Sequence, residues 1–160
     1  MPDLDYLSLA SAMHRLTEPA VRSAISALPV VPGSWGLDLA CGNGDHSIWL
    51  AQSLSSTGKV VGFDISAGCL HQAMQSSAKE GLNERLAFIL GDLNHLPFPD
   101  HIFDWIWCAD CLWPGPKSLG FLGMDLLPSL QELMRVTRPG GNSRRPLLVI
   151  SKAPSWPSPS

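Results

Sequence analysis

The run Leu37-Asp38-Leu39-Ala40-Cys41-Gly42-Asn43-Gly44-Asp45 carries an apolar segment into an acidic residue, turns on two glycines, and enters a helical pattern. Gly42 and Gly44 tolerate positive φ and carry no side chain, so bare backbone there can approach a bound small molecule. An ordinary tight turn has the same pattern, and Gly-x-Gly alone leaves that reading open. Two more carboxylates, Asp64 and Asp92, close the next apolar runs. Asp64 stands 20 residues beyond Gly44. An acceptor-only group at such a strand end can take hydrogen bonds from both hydroxyls of a ribose. Its other reading is a helix cap, for which Ser66 is already in place. Ile65 beside it can pack on a base face or belong to the core. Asp92, in Phe88-Ile89-Leu90-Gly91-Asp92-Leu93, can accept from an adenine amino group while the Leu93 N–H donates to the ring. A solvated turn is its alternative. Three carboxylates in consecutive strand-helix units suggest a nucleoside pocket with a positively charged guest.

Charge separates the two obvious guests. A dinucleotide brings a pyrophosphate, which wants backbone N–H groups and no nearby carboxylates. Asp38 and Asp45 flank the glycine turn, and Ser47 holds the place of the third glycine of Gly-x-Gly-x-x-Gly. S-adenosylmethionine carries a sulfonium and an ammonium, which carboxylates attract. This favours S-adenosylmethionine over NAD.

Residues so far apart converge only if a parallel sheet brings its carboxyl ends to one rim, where such folds bind ligands. Apolar runs predict strands over Trp35–Ala40, Lys59–Asp64, Leu86–Leu90, Ile102–Ala109 and Pro146–Ser151. Between them, periodicity predicts helices over Gly44–Leu54, from Ser66 to Lys79 with Gly81 closing it, and from Leu126 to Thr137. Residues 1 to 16 read as partly helical; Thr17-Glu18-Pro19 reads as a fresh helix start, with Thr17 as N-cap and Pro19 in the first turn. The alternation predicts an α/β fold with a parallel sheet covered by helices on both faces. It also puts Ala109 and Asp110 at the end of the fourth strand.

The 160 residues point to one domain, residues 1–152 with a helical segment over 1–30, followed by a Pro/Ser tail at 153–160. Charged residues make up 16%, against ~25% in average soluble proteins, which suits a sheet covered on both faces. Net charge is −3 with no basic block, so nothing points to nucleic acid. No run reaches the ~18 apolar residues of a membrane span, and the acidic N-terminus lacks the cationic region of a signal peptide. A cytoplasmic location with four reduced cysteines is expected. Cys108-Ala109-Asp110-Cys111 is a C-x-x-C, read as incidental because the other cysteines, Cys41 and Cys69, are singletons. The five histidines show no metal spacing, so no metal is expected; His46 or His95 could act as a general base. Trp105 and Trp107 read as core, while Trp113 could face an acceptor.

Taken together, these residues resemble the class I, Rossmann-like S-adenosylmethionine-dependent methyltransferases. LDLACGNGD looks like the family's glycine-rich first motif, KVVGFDIS its second, and ILGDLNHLPF its adenine-binding segment. FDWIWCADCLW is similar to its fourth strand and LQELMRVTRPGG to the helix and turn before the fifth. The likeness covers about residues 17 to 141. It implies that Asp38 and the loop Ala40, Cys41, Gly42, Asn43, Gly44 hold the methionine part, Asp38 through the amino group or a bridging water. It implies Asp64 and Ile65 at the ribose and base, Asp92 and Leu93 at the adenine, and Ala109 on the cofactor floor. Asp110 would stand near the methyl group, with Tyr6 and His14 as lid candidates from the N-terminal segment. The implied fold is an α/β three-layer Rossmann-like sheet in the order 3-2-1-4-5, and the implied activity is methyl transfer to a small-molecule acceptor. Two rivals are a non-catalytic S-adenosylmethionine-binding fragment or pseudo-enzyme, and an NAD(P)-dependent oxidoreductase. Only 19 residues follow Gly141, so the family's usual sixth and seventh strands are expected to be absent. An uncovered fifth-strand edge invites a partner subunit, a homodimer being one form.

Overall fold

Apolar β-branched and aromatic runs punctuated by glycine turns produce alternating strands and helices. The computed structural model describes residues 6–109, 127–139 and 147–151. In chain order they form α1 (Tyr6–Ser26), β1 (Trp35–Leu39), α2 (Asp45–Ser53), β2 (Lys59–Asp64) and α3 (Ala67–Lys79). There follow β3 (Leu86–Leu90), β4 (Trp105–Ala109), α4 (Leu127–Val136) and β5 (Leu147–Ser151). The sheet order is β3-β2-β1-β4-β5, with every pairing parallel. Leu39 pairs with Phe63 and with Cys108, and Asp64 with Leu90, which aligns the carboxyl ends of the four strands β1 to β4 at one rim.

Side chains alternate across each strand and build two cores. Trp105 and Trp107 of β4 join Ile25, Trp49, Leu50 and Val60 on one face. Leu37, Leu39, Phe63, Ile106 and Leu133 pack on the other, with Val136 of α4. Gly36 has no side chain because a Cβ would lie 2.0 Å from the Trp105 ring. Ser66 caps α3 by accepting from the Cys69 N–H, and Gly81 follows it at φ +68. No described helix is long and apolar enough to cross a membrane.

The first helix departs from the sequence reading. It runs unbroken from Tyr6, so Thr17 is interior and not a cap, and Pro19 lies inside it. Pro19 is exposed, so its ring points away from the core and the helix gives up little more than one backbone bond there. The same turn is tied down by Arg22, which pairs with Glu18 at 2.8 Å and lies 4.1 Å over the Trp49 ring of α2. The fourth strand is also shorter than expected. Ile102 and Phe103 instead donate to Val136 O, and Asp104 accepts from the Trp35 N–H and from Arg138. Cys108 is disulfide-bonded, against the expectation of four reduced thiols. Cys41 and Cys69 are free, while Cys111 and the tail 153–160 lie outside the described residues.

Candidate functional site

The turn between β1 and α2 is built from left-handed backbone. Ala40, Gly42 and Gly44 have φ of 50, 53 and 81. The two glycines serve different ends. A Cβ on Gly44 would lie 2.7 Å from Ala73 Cβ and 3.0 Å from Phe88, so that glycine lets the turn pack on α3 and β3. A Cβ on Gly42 would meet nothing within 4 Å, so this glycine borders open space that a side chain would fill. Ala40 adopts its positive φ without being glycine, a local strain of the kind found where a loop must hold one shape.

Asp38 lies beneath that turn. It is 1% exposed, and its Oδ2 accepts from the Ser47 hydroxyl at 2.5 Å. Burial pushes its carboxyl up to about 7; the Ser47 hydrogen bond works against this, and the nearby Asp64 charge adds to it. The same burial, with Asp38 and Asp64 close by, drives the Cys41 thiol far above its ordinary value, so Cys41 is a neutral small residue and not a nucleophile.

Asp64 joins two turns. Its Oδ2 accepts from Gly42 N and its Oδ1 from Ser66 N, each at 2.8 Å. Each carboxylate oxygen has about two acceptor positions, so each retains one for a further donor. Next to it, Ile65 is 75% exposed, and Leu90 at the end of β3 is 55% exposed. Two large apolar side chains uncovered at a strand-end rim make a surface on which a flat ring can pack.

Asp92 follows Gly91, whose N–H donates to the backbone oxygen of Asp64 at 3.0 Å. Its Oδ1 accepts from both Asn94 N (2.9 Å) and Asn94 Nδ2 (3.1 Å). Asp92 is exposed and Leu93 half-buried against the lower core. Asp38, Asp64 and Asp92 thus come to one edge of the sheet. Segments 38–45, 64–66 and 90–93 contain no lysine or arginine, so the rim presents acceptors and negative charge to hydroxyls, amino groups and cations.

At the end of β4, Ala109 is half-buried and Trp107 reaches back to α2. Its indole N–H donates to His46 Nδ1 at 3.3 Å, and His46 packs 5.3 Å from the Trp49 ring. Nδ1 is therefore engaged as an acceptor within the helix–sheet contact. His95 is exposed. Asp110 and Trp113 lie outside the described residues; Tyr6 and His14 lie on α1, their side chains outside the described set. Among the described residues no group of three His, Cys, Asp or Glu is placed to hold a metal. A groove of about 450 Å³ between the helices is lined by Arg22, Asp45, Trp49, Gln52, Lys79 and Glu80. It mixes both charges.

The sequence pattern brought out the three carboxylates and the glycines. Ser47, as the partner of Asp38, had a signal: it stands nine residues on, in the first turn of α2. Asn94 had one also, the Asp-x-Asn of a side-chain-closed turn.

Residues 37–141 match the family described as the methyltransferase domain. Over 133 residues the chain is 35% identical to methyltransferase GfsG of Streptomyces halstedii, covering 83% of this chain and 43% of that protein. Over 139 residues it is 34% identical to a 2-phytyl-1,4-naphtoquinone methyltransferase of Nostoc punctiforme, covering 87% of this chain and 55% of that one. The chain spans about half the length of these relatives. A solved SAM dependent methyltransferase from Aquifex aeolicus shares the fold with a TM-score of 0.63 at 23% identity, covering 81% of this chain and 67% of that chain.

Proposed function

The chain belongs to the class I S-adenosylmethionine-dependent methyltransferases, and on that premise we propose that it serves methyl transfer to a small-molecule acceptor by direct displacement. The observation that carries this reading is the acid-only rim around Asp64, whose carboxylate already braces the Gly42 turn and keeps an acceptor position on each oxygen. Asp64 would take the ribose hydroxyls. Gly42 would admit the methionine part, with Ala40, Cys41, Asn43 and Gly44 shaping the backbone around it. Ile65 would pack on the adenine, Asp92 Oδ2 would accept from its amino group, and Leu93 N would donate to the ring. Ala109 would floor the pocket.

Asp38 acts differently in this reading. Being buried, it would set the turn through its hydrogen bond with Ser47. Bound S-adenosylmethionine supplies an electrophilic methyl group on a sulfonium. The residues named here contribute orientation, proximity and a field that favours a cation, which is most of what an already activated donor requires. Asp110, Tyr6 and His14 stay proposals for the methyl and lid positions. The naphtoquinone relative supports a small-molecule acceptor. A cytoplasmic location and a homodimer belong to the same reading, and cell fractionation and light scattering check them.

Calorimetry with S-adenosylhomocysteine, NAD and NADP tests the cofactor. Binding of the first alone is expected. Asp64→Ala is expected to lower that affinity about a hundredfold, since charge-assisted hydrogen bonds and a turn anchor go together. Binding of NAD with no binding of S-adenosylhomocysteine would reverse the assignment. Binding without transfer of labelled methyl to any acceptor in a broad screen would instead favour a binding module.

A further inference from the structure

Helix α4 carries Ser129, Glu132 and Arg135 at a spacing of three, which sets them on one stripe of the helix. That stripe faces the segment after β3. Glu132 Oε2 accepts from Leu96 N at 2.8 Å. Arg135 donates to Leu96 O at 2.9 Å and to Phe98 O at 2.7 Å. These two side chains hold backbone. Ser129 does something else: it is 1% exposed, and its hydroxyl donates to Asn94 Oδ1 at 2.8 Å. Asn94 in turn places its backbone N–H and its Nδ2 on Asp92 Oδ1, at 2.9 and 3.1 Å.

The amide orientation follows from charge. Turned over, Asn94 would present its oxygen to the Asp92 carboxylate, acceptor against acceptor, so Nδ2 must face Asp92 and Oδ1 must face Ser129. The chain of donors therefore has one direction, from Ser129 to Asn94 to Asp92, and each bond polarises the next. Its result is a carboxylate with Oδ1 filled by two donors and Oδ2 left as the acceptor toward the rim.

We propose that Ser129 is a positioning residue which, through Asn94, fixes the Asp92 carboxylate and so sets the preference of the site for a 6-amino purine over a 6-oxo purine. This rests on the reading of Asp92 as the base-recognising carboxylate. An acceptor held at one place rewards an amino group and repels a carbonyl oxygen. A carboxylate free to rotate can turn aside from the wrong base, so discrimination falls when the clamp is lost.

The experiment measures affinity of the full chain for S-adenosylhomocysteine and for its 6-oxo (inosine) counterpart by calorimetry, in the unchanged protein and four variants. Ser129→Ala and Asn94→Ala are expected to weaken the 6-amino ligand about fivefold, the scale of one hydrogen-bonded clamp, and to leave the 6-oxo ligand unchanged or tighter. Ser129→Thr keeps the hydroxyl and is expected to restore the preference. A purely structural serine would not act this way: its loss would weaken both ligands equally, and that result overturns the proposal. Asp92→Ala separates the two layers. If it abolishes the preference while Ser129→Ala and Asn94→Ala retain it, the relay is wrong and the base assignment stands. If Asp92→Ala retains the preference, the base assignment falls and the relay falls with it. Should Ser129→Ala fail to fold, the half-buried loop variant Asn94→Ala decides the same question.

Discussion

The turn after β1 and the turn after β3 both hold a carboxylate at the same edge of the sheet, by opposite means. The first is fixed from within: left-handed backbone at residues 40, 42 and 44, a buried Asp38–Ser47 pair beneath, and one brace from Asp64. The second is fixed from outside, by Ser129, Glu132 and Arg135 reaching across from a helix 35 or more residues away in sequence. The inner device depends on backbone shape and on the energy of a buried acid. The outer one depends on partly solvated charges. They should therefore fail under different conditions.

The largest expected effect tests the inner turn. Gly44→Ala combines an unfavourable positive φ with a Cβ 2.7 Å from Ala73 Cβ, and should cost about 3–4 kcal/mol in urea unfolding. Gly42→Ala meets only open space, so it should stay folded and instead reduce S-adenosylhomocysteine affinity. Equal behaviour of the two glycines would erase the distinction between a packing glycine and a pocket glycine.

Next comes pH. The folded-state value of Asp38 is raised from 3.8 to about 7, so the folded protein holds a proton there that the unfolded chain has already released. Stability from this group is complete below about pH 4 and is lost as pH rises through 7. Asp38→Asn should remove that slope, a change on the order of 3 kcal/mol between pH 4 and 8. Glu132 has the opposite sign. The hydrogen bond from Arg135, first, lowers its value from 4.5 to about 2, so its contribution is present above pH 4.5 and lost as pH falls toward 2. Glu132→Gln should cost about 0.5–1 kcal/mol near neutrality, and less in high salt, because the pair is partly exposed. A salt-independent loss there would mean that the outer device is not electrostatic.

The smallest effect returns to the inner turn. Ala40→Gly removes the penalty of φ +50 and returns some chain entropy, for a net gain of under about 1 kcal/mol in thermal unfolding. A loss of stability would show that the methyl of Ala40 is used in packing.

Much of this was legible from residue order. Strands over Lys59–Asp64 and Leu86–Leu90, and a helix ending at Lys79 before Gly81, were readable because alternation and turn residues act over a few positions. Local signals misled at Thr17-Glu18-Pro19, where a capping pattern lies inside a longer helix braced by Arg22 on Trp49. They also overran at Ile102, whose backbone turns to the end of α4. The carboxylates were visible as types at strand ends, but not what each would touch. Asp38 read as a rim residue, yet its side chain is buried against Ser47.

Residue order alone settled the alternation of strands and helices, an acid at the end of three strands, and a glycine turn free of bulk, because periodicity and φ preference are properties of short stretches of chain, while the strand order followed from the family resemblance. Only the tertiary structure decided that Asp38 is buried, that His46 Nδ1 is taken by Trp107, and that Asp92 is clamped from Ser129 through Asn94. Those pairings join residues brought together by helices docking on the sheet, and a side chain's partner across that distance is set by packing, which no local pattern encodes.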